Sequence, residues 1–310
     1  MLDVLWITLP VFIIIAIGYG AGHFKFFPDY AEDIFTRFVF YMALPVYLFK
    51  MMATAPLGEL GDWHYISAFA LSLFTTGAVS YLIASLLFKH RGGEAVFSAM
   101  AGSYTNAAFV GIPIMVMVFG SAMPVVMVVV FQLTCVMTTI LVVLDVLSQK
   151  KQEHFLIKVP KTLIRNPIIL AVLAGVLVQF YAPILPDGVM RFCDFFGAAA
   201  IPLALFSLGL SLQRTAQIPL PEQHKKLVWV LSAMKLVIHP FIAAVIGVYL
   251  FHLSEAWLKA LILAAAMPTA VNHYIVAQKY GYFAARAGRV VFITSIGSLV
   301  MVTGLLLYWQ

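Results

Sequence analysis

The sequence predicts an all-α membrane protein of ten transmembrane helices, arranged as two inverted five-helix repeats with crossing broken helices four and nine. Three observations lead there. Apolar residues make up 63% of the chain and charged residues only 10%, a balance that a water-exposed globule does not carry. Ten charge-poor runs follow one another at about 4–22, 34–53, 65–88, 95–119, 123–147, 162–182, 190–212, 227–251, 256–281 and 287–308, and a spanning helix takes roughly 20 residues. The two halves also resemble each other at an offset of about 157 to 161 positions. Five spans per half is an odd number, so the second half enters the membrane from the opposite side.

Taken in order, the runs carry the repeat with them. The first holds Pro10 and Gly18, lacks a basic n-region and a small-residue cleavage site, and reads as a span rather than a signal peptide. The second holds Phe40-Tyr-Met-Ala-Leu-Pro45-Val-Tyr-Leu-Phe49, and the third is unbroken. The fourth is interrupted by polar and helix-breaking residues from Asn106 to Gly111 and Pro113, and ends at Gly120. The fifth ends near Asp145, where a carboxylate can reach water. The sixth repeats the first, with Pro167 and Gly175 answering Pro10 and Gly18. Pro186-Asp187 answers Pro28-Asp29, and Gly197 to Phe206 in the seventh, with Pro202, answers Phe40 to Phe49. The eighth contains Lys235 and His239-Pro240. The ninth is interrupted at Pro268-Thr269-Ala-Val-Asn272-His273 and ends at Gly281, and the tenth is unbroken. The domains follow: 1–147 as the first repeat, 148–161 as a short cytoplasmic connector, 162–310 as the second repeat.

The net charge of +6 is spread over short loops and is not a nucleic-acid footprint. Loops on one side hold Lys25, Arg37, Lys89, Arg91, Lys150, Lys151, Lys158, Lys161, Arg165, Arg214, Lys225, Lys226, Lys279, Arg286 and Arg289, against Lys50, Arg191 and Lys259 on the other. The positive-inside rule then places both termini outside the cytoplasm. Cys135 and Cys193 lie in different spans without metal-ligand spacing and read as packing residues.

The candidate site lies at the paired interruptions, because lipid cannot satisfy the backbone groups that a broken helix exposes. Asn106 falls roughly 16 Å along its span, near the midplane, and Pro268 and Asn272 reach a similar depth from the other side. Gly111 permits unusual backbone angles and Pro113 lacks a donor. Half-helix N-termini beyond such breaks suit a carboxylate, and the amides of Asn106 and Asn272 can donate to the same anion. Lys235, roughly 12 Å into its span, should face the bundle interior, either as a counter-ion or as a fixed charge holding helices together. His239 reads as a proton relay or a packing residue, and His273 as a proton sensor or a substrate contact. Thr269 completes the expected binding set of Asn106, Gly111, Pro113, Pro268, Thr269, Asn272, His273 and Lys235. Thr105, Asn106, Thr269 and Asn272 are the oxygens available to a sodium ion. No zinc motif, P-loop, nucleophile elbow or buried acidic pair appears, so neither an enzyme nor an Asp-based antiporter is expected, and no cofactor beyond a coupling proton or sodium.

At these residues the chain resembles the auxin efflux carrier family. Asn106-x4-Gly111-x-Pro113 is similar to that family's fourth-span pattern, Ala266-Met-Pro268 with Ala277-Gln-Lys-Tyr280 to its ninth, Arg165-Asn166-Pro167 to its sixth, Leu205-Phe206-Ser207-Leu208-Gly209-Leu210 to its seventh, and Ala43-Leu44-Pro45 to its second. The resemblance implies an elevator-type secondary carrier of small organic anions. The first, second, sixth and seventh spans would form a scaffold and homodimer face, and the other six would carry the substrate. Its crossing prolines fall on Pro113 and Pro268, and its pocket asparagine on Asn106. The short connector and the Thr269–His273 stretch depart from the plant exporters, so a mono- or dicarboxylate such as malate or malonate is expected over an auxin-like aromatic acid. A bile-acid-type sodium symporter with the same ten helices is the alternative.

Overall fold

The computed structural model describes residues 2–28, 30–54, 62–147, 166–181 and 185–309, with side chains from Leu9 onward. These residues form helices and no strand. The expected connector 148–161, with Lys150, Lys151, Lys158 and Lys161, lies outside the described residues, as do Asp29 and Arg165. In chain order the helices are α1 (Leu2–His23), α2 (Ala31–Ala53), α3 (Trp63–Leu87), α4 (Gly93–Ser103), α5 (Ala107–Phe119), α6 (Met123–Leu147), α7 (Pro167–Tyr181), α8 (Asp187–Ala216), α9 (Glu222–Leu250), α10 (Glu255–Ala266), α11 (Val271–Tyr280) and α12 (Ala284–Tyr308). Six of them, α2, α3, α6, α8, α9 and α12, are long and apolar enough to cross a bilayer unaided. The fourth predicted span is divided into α4 and α5, and the ninth into α10 and α11.

Local chemistry sets the ends. Asp62 caps α3 by accepting from the His64 N–H at 2.8 Å, and Asn166 caps α7 by accepting from the Ile168 N–H at 3.0 Å, with Pro167 in the first turn where its missing donor costs nothing. Gly120 and Gly281 close α5 and α11 in left-handed conformation, with φ of +68° and +80°, which glycine adopts without strain. Three of the prolines inside helices share one setting. Pro45, Pro113 and Pro240 each lie two residues beyond a π turn, at Val39–Ala43, Ala107–Gly111 and Met234–Ile238. The wide turn absorbs the missing N–H and the ring's clash with the preceding turn.

Two helix pairs pack with their backbones nearly touching. In α1 and α8, a Cβ on Gly18 would lie 2.2 Å from the Phe206 carbonyl oxygen, and one on Gly209 would lie 2.2 Å from that of Ile15. In α7 and α2, a Cβ on Gly175 would lie 2.5 Å from the Phe49 carbonyl oxygen. Small residues at such crossings allow the close van der Waals packing that holds helices together in lipid. Gly18 answers Gly175 and Phe206 answers Phe49 in the sequence repeat, so the same contact is made twice with the halves exchanged.

Among the described residues, the helix ends that carry Arg214, Arg286 and Arg289 meet at one end of the molecule. There Arg286 pairs with Glu94 and donates to His90 Nε2 at 3.1 Å. Arg214 lies 3.3 Å from Glu32, and Arg289 donates to the carbonyls of Ala216 and Ile218. Burial and the Arg286 charge hold His90 below the ordinary histidine range, against the opposing pull of Glu94, so Nε2 stays free to accept. At the other end Lys50 pairs with Asp194 and Lys259 with Glu255. Asp145, read from the sequence as solvated, instead accepts a hydrogen bond from the Tyr280 hydroxyl and ties α6 to α11.

Gly18→Ala and Gly175→Ala each force a methyl group into backbone and should lower stability by about 1–3 kcal/mol. Gly20→Ala, which meets nothing within 4 Å, should leave it unchanged. Thermal unfolding of the detergent-solubilised protein separates the two outcomes.

Candidate functional site at the crossing of two broken helices

The breaks lie at Tyr104–Asn106 and Met267–Ala270, where the chain is extended rather than helical (Tyr104 ψ 120°, Met267 ψ 152°, Ala270 ψ 143°). Pro268 explains the second break, since it disfavours helical geometry at Met267. The two extended segments run antiparallel and pair at Thr105 and Thr269. The Asn106 N–H donates to the Pro268 carbonyl at 2.8 Å, and the Ala270 N–H donates to the Tyr104 carbonyl at 3.2 Å. Each break thereby supplies the partners that the other lacks.

Side chains complete the pairing on both outer edges. The Gln132 amide, on a π turn of α6, accepts from the Thr105 N–H at 3.1 Å and donates to the Thr105 carbonyl at 2.8 Å. It acts as a third strand one residue long. On the other edge the Thr269 N–H donates to Thr294 Oγ1 of α12 at 3.1 Å, and Thr269 Oγ1 donates to the Ala101 carbonyl at 2.7 Å. Lys235, fully buried on the π turn of α9, places Nζ 2.9 Å from Thr105 Oγ1, 2.7 Å from the Ala265 carbonyl and 2.9 Å from His239 Nδ1. It therefore ties the α4 break to the C-terminal end of α10.

A small cavity opens against the crossing. Thr105, Asn106 and Asn272 line it, together with Gln132, Tyr104 and, from α2, Phe40. Asn106 caps α5 by accepting from the Phe109 N–H at 3.4 Å. Its Nδ2 is buried and has no hydrogen-bond partner among the described residues. The start of α11 at Val271–Asn272 meets the same space. A free amide and two helix N-termini favour an anion, and hydrogen bonds to a charged acceptor are the strong ones. Among the described residues no three His, Cys, Asp or Glu side chains gather as a metal site.

The other expected residues stand apart from the cavity. Pro268 and Thr269 frame it through the backbone pairing, and Lys235 lies behind Thr105. Gly111 is helical (φ −65°), so its conformational freedom is not what the fold uses. A Cβ there would lie 2.7 Å from Val125, and glycine instead lets α5 approach α6. Pro113 is buried inside α5, seven residues past the break. His273 is fully buried beside Phe97 and Phe283, at ring-centroid distances of 5.8 and 5.9 Å, away from the cavity. His239 holds Lys235 and lies 3.5 Å from Ser72 Oγ. Sequence reasoning passed over Gln132, Thr294 and Phe40. The available signal was Gln132 itself, a lone amide in the apolar run 123–147.

Residues 4–306 match a protein family described as "Membrane transport protein". A protein of Rhizobium meliloti named "Putative malonate transporter" is 28% identical over 314 residues, covering 99% of this chain and 96% of its own length. An "Uncharacterized transporter" of Methanothermobacter thermautotrophicus is 25% identical over 300 residues, covering 94% of each chain.

Gln132→Leu removes both partners of the Thr105 backbone and leaves a buried donor and acceptor unmade, at about 1–3 kcal/mol each. The variant should unfold at a clearly lower temperature than wild type. Gln132→Glu, which keeps only the acceptor, should fall between the two in the same thermal scan.

Proposed function

The chain belongs to the auxin efflux carrier family of membrane transport proteins, and on that premise we propose that it is a secondary carrier of small organic anions, mono- or dicarboxylates such as malonate or malate. The observation that carries this reading is the unpartnered amide of Asn106 facing a cavity between two half-helix N-termini. The name of the Rhizobium relative agrees with a dicarboxylate. Its named relatives are transporters, which are not enzymes.

The ten-helix inverted repeat is part of the proposal. Supporting it are the exchanged Gly18–Phe206 and Gly175–Phe49 contacts, the reciprocal hydrogen bonds at the crossing, and the matching left-handed caps at Gly120 and Gly281. In this reading α1, α2, α7 and α8 form the scaffold and homodimer face, and α3 to α6 with α9 to α12 move the anion in an elevator-type exchange. The end that bears Arg214 and Arg286 faces the cytoplasm, and both termini lie outside it.

Sodium coupling of the bile-acid type would need free oxygens at the crossing. Thr105 Oγ1 faces the Lys235 Nζ, and Thr269 Oγ1 is turned to the Ala101 carbonyl. Thr269 Oγ1 keeps its acceptor lone pairs, but Thr105 Oγ1 already accepts from Lys235, and on that ground we read the carrier as running without sodium.

Proteoliposomes should take up labelled malonate or malate at the same rate with sodium or choline outside. Asn106→Ala should cut that uptake by roughly 10-fold or more, the worth of one hydrogen bond to a charged group. Wild-type kinetics in Asn106→Ala would remove the crossing as the binding site, and a strict sodium requirement would restore the symporter reading.

A further inference from the structure

The crossing cavity does not stand alone. A small neck shares Phe109, Val271 and Asn272 with its walls. A wider mouth shares Thr36 and Ile275 with the neck and carries Glu32 and Arg214 on its rim. The shared wall residues place the three spaces in succession between Asn106 and the end of the molecule that carries Arg214.

The two walls of the neck differ. One is formed by the half-helices α5 and α11, which carry the crossing. The other is formed by α2 and α8, and it presents Thr36, Ser207 and Ser211. Thr36 Oγ1 and Ser207 Oγ lie 3.2 Å apart, so one hydroxyl donates to the other and the second hydrogen remains available. Ser211 is 2% exposed, and its Oγ has no partner among the described residues. A buried helical hydroxyl ordinarily bonds back to the carbonyl one turn earlier, as Thr215 does to Ser211 at 2.9 Å. Ser211 does not, and a buried hydroxyl left unpaired is costly. The rim charges are already matched, Glu32 by Arg214 and Asp33 by Arg37. Within the neck the side-chain donors are Asn272 and the hydroxyls of the α2–α8 wall.

We propose that Thr36, Ser207 and Ser211 form a second station for the substrate carboxylate, on the wall facing the crossing and open to the Arg214 end. The inference rests on the organic-anion reading above. Ser207 and Ser211 are one helical turn apart, about 6 Å along the axis, so the carboxylate can be passed between them as it leaves Asn106. Uncharged donors hold an anion without trapping it. Because these hydroxyls belong to α2 and α8, they meet the anion only while the crossing stands beside them.

The test uses the full-length protein with Cys135 and Cys193 replaced by serine and a single cysteine introduced as Ser211→Cys, in vesicles of known orientation. An impermeant methanethiosulfonate reagent should modify that cysteine from the Arg214 side only, and saturating malonate should slow the modification several-fold. Ser211→Ala in the otherwise native chain should weaken the apparent affinity for malonate uptake by roughly 10-fold, with thermal stability unchanged. Failure to label from the Arg214 side, labelling that malonate does not slow while malonate is transported, or native uptake affinity in Ser211→Ala would each overturn the station and leave the carrier reading standing. A wild-type protein that transports no carboxylate would overturn the carrier reading and the station together.

Discussion

The structure depends on two interrupted helices satisfying each other's backbone. A break in the middle of an apolar span frees N–H and C=O groups where neither water nor lipid can pair them, at several kcal/mol for each group left alone. Here the Asn106 and Ala270 N–H groups and the Tyr104 and Pro268 carbonyls pair across the crossing. Neither break is tolerable without the other. The half-helix N-termini that flank a cavity are a consequence of this mutual pairing.

Around that pairing side chains from three other helices take up donors and acceptors of the two breaks. Gln132 takes both backbone groups of Thr105, Thr294 takes the N–H of Thr269, and Lys235 takes Thr105 Oγ1 and the Ala265 carbonyl. Gln132 and Lys235 both sit on π turns. A wide turn rotates the residues beyond it relative to a regular helix, and such turns recur where a helix must aim a side chain inward. The one amide left unmatched in this set is Asn106 Nδ2, and it borders the cavity. The crossing is cross-linked in this way from α6, α9 and α12.

The glycine contacts explain why the remaining helices can stand apart. Gly18 and Gly209 bring α1 against α8, and Gly175 brings α7 against α2, at distances that leave no room for a side chain. Close packing of this kind resists sliding, since interlocked surfaces are not continuously deformable. The face that α2 and α8 present to the crossing is the contrasting kind, with hydroxyls and cavity space in place of interdigitated side chains. That contrast suits the proposed carrier, in which one part moves against the other.

The sequence by itself determined the membrane class, six long apolar helices, the positions of Pro268 and Asn106 near breaks, and the family, because apolar run length, proline and glycine act locally along the chain. It placed the first break toward Gly111 and Pro113, whereas the chain unwinds at Tyr104–Asn106. A π turn lets a helix continue through proline, and no residue pattern along one segment reports that. The tertiary structure alone decided which side chains serve the crossing: Gln132 from α6 and Thr294 from α12 were brought in, and His273 was turned away into an aromatic cluster. It also settled Lys235 as a tie between elements rather than a lining residue of the cavity. The reason is physical: which backbone groups lack partners depends on where two distant segments meet, and that meeting exists only in three dimensions.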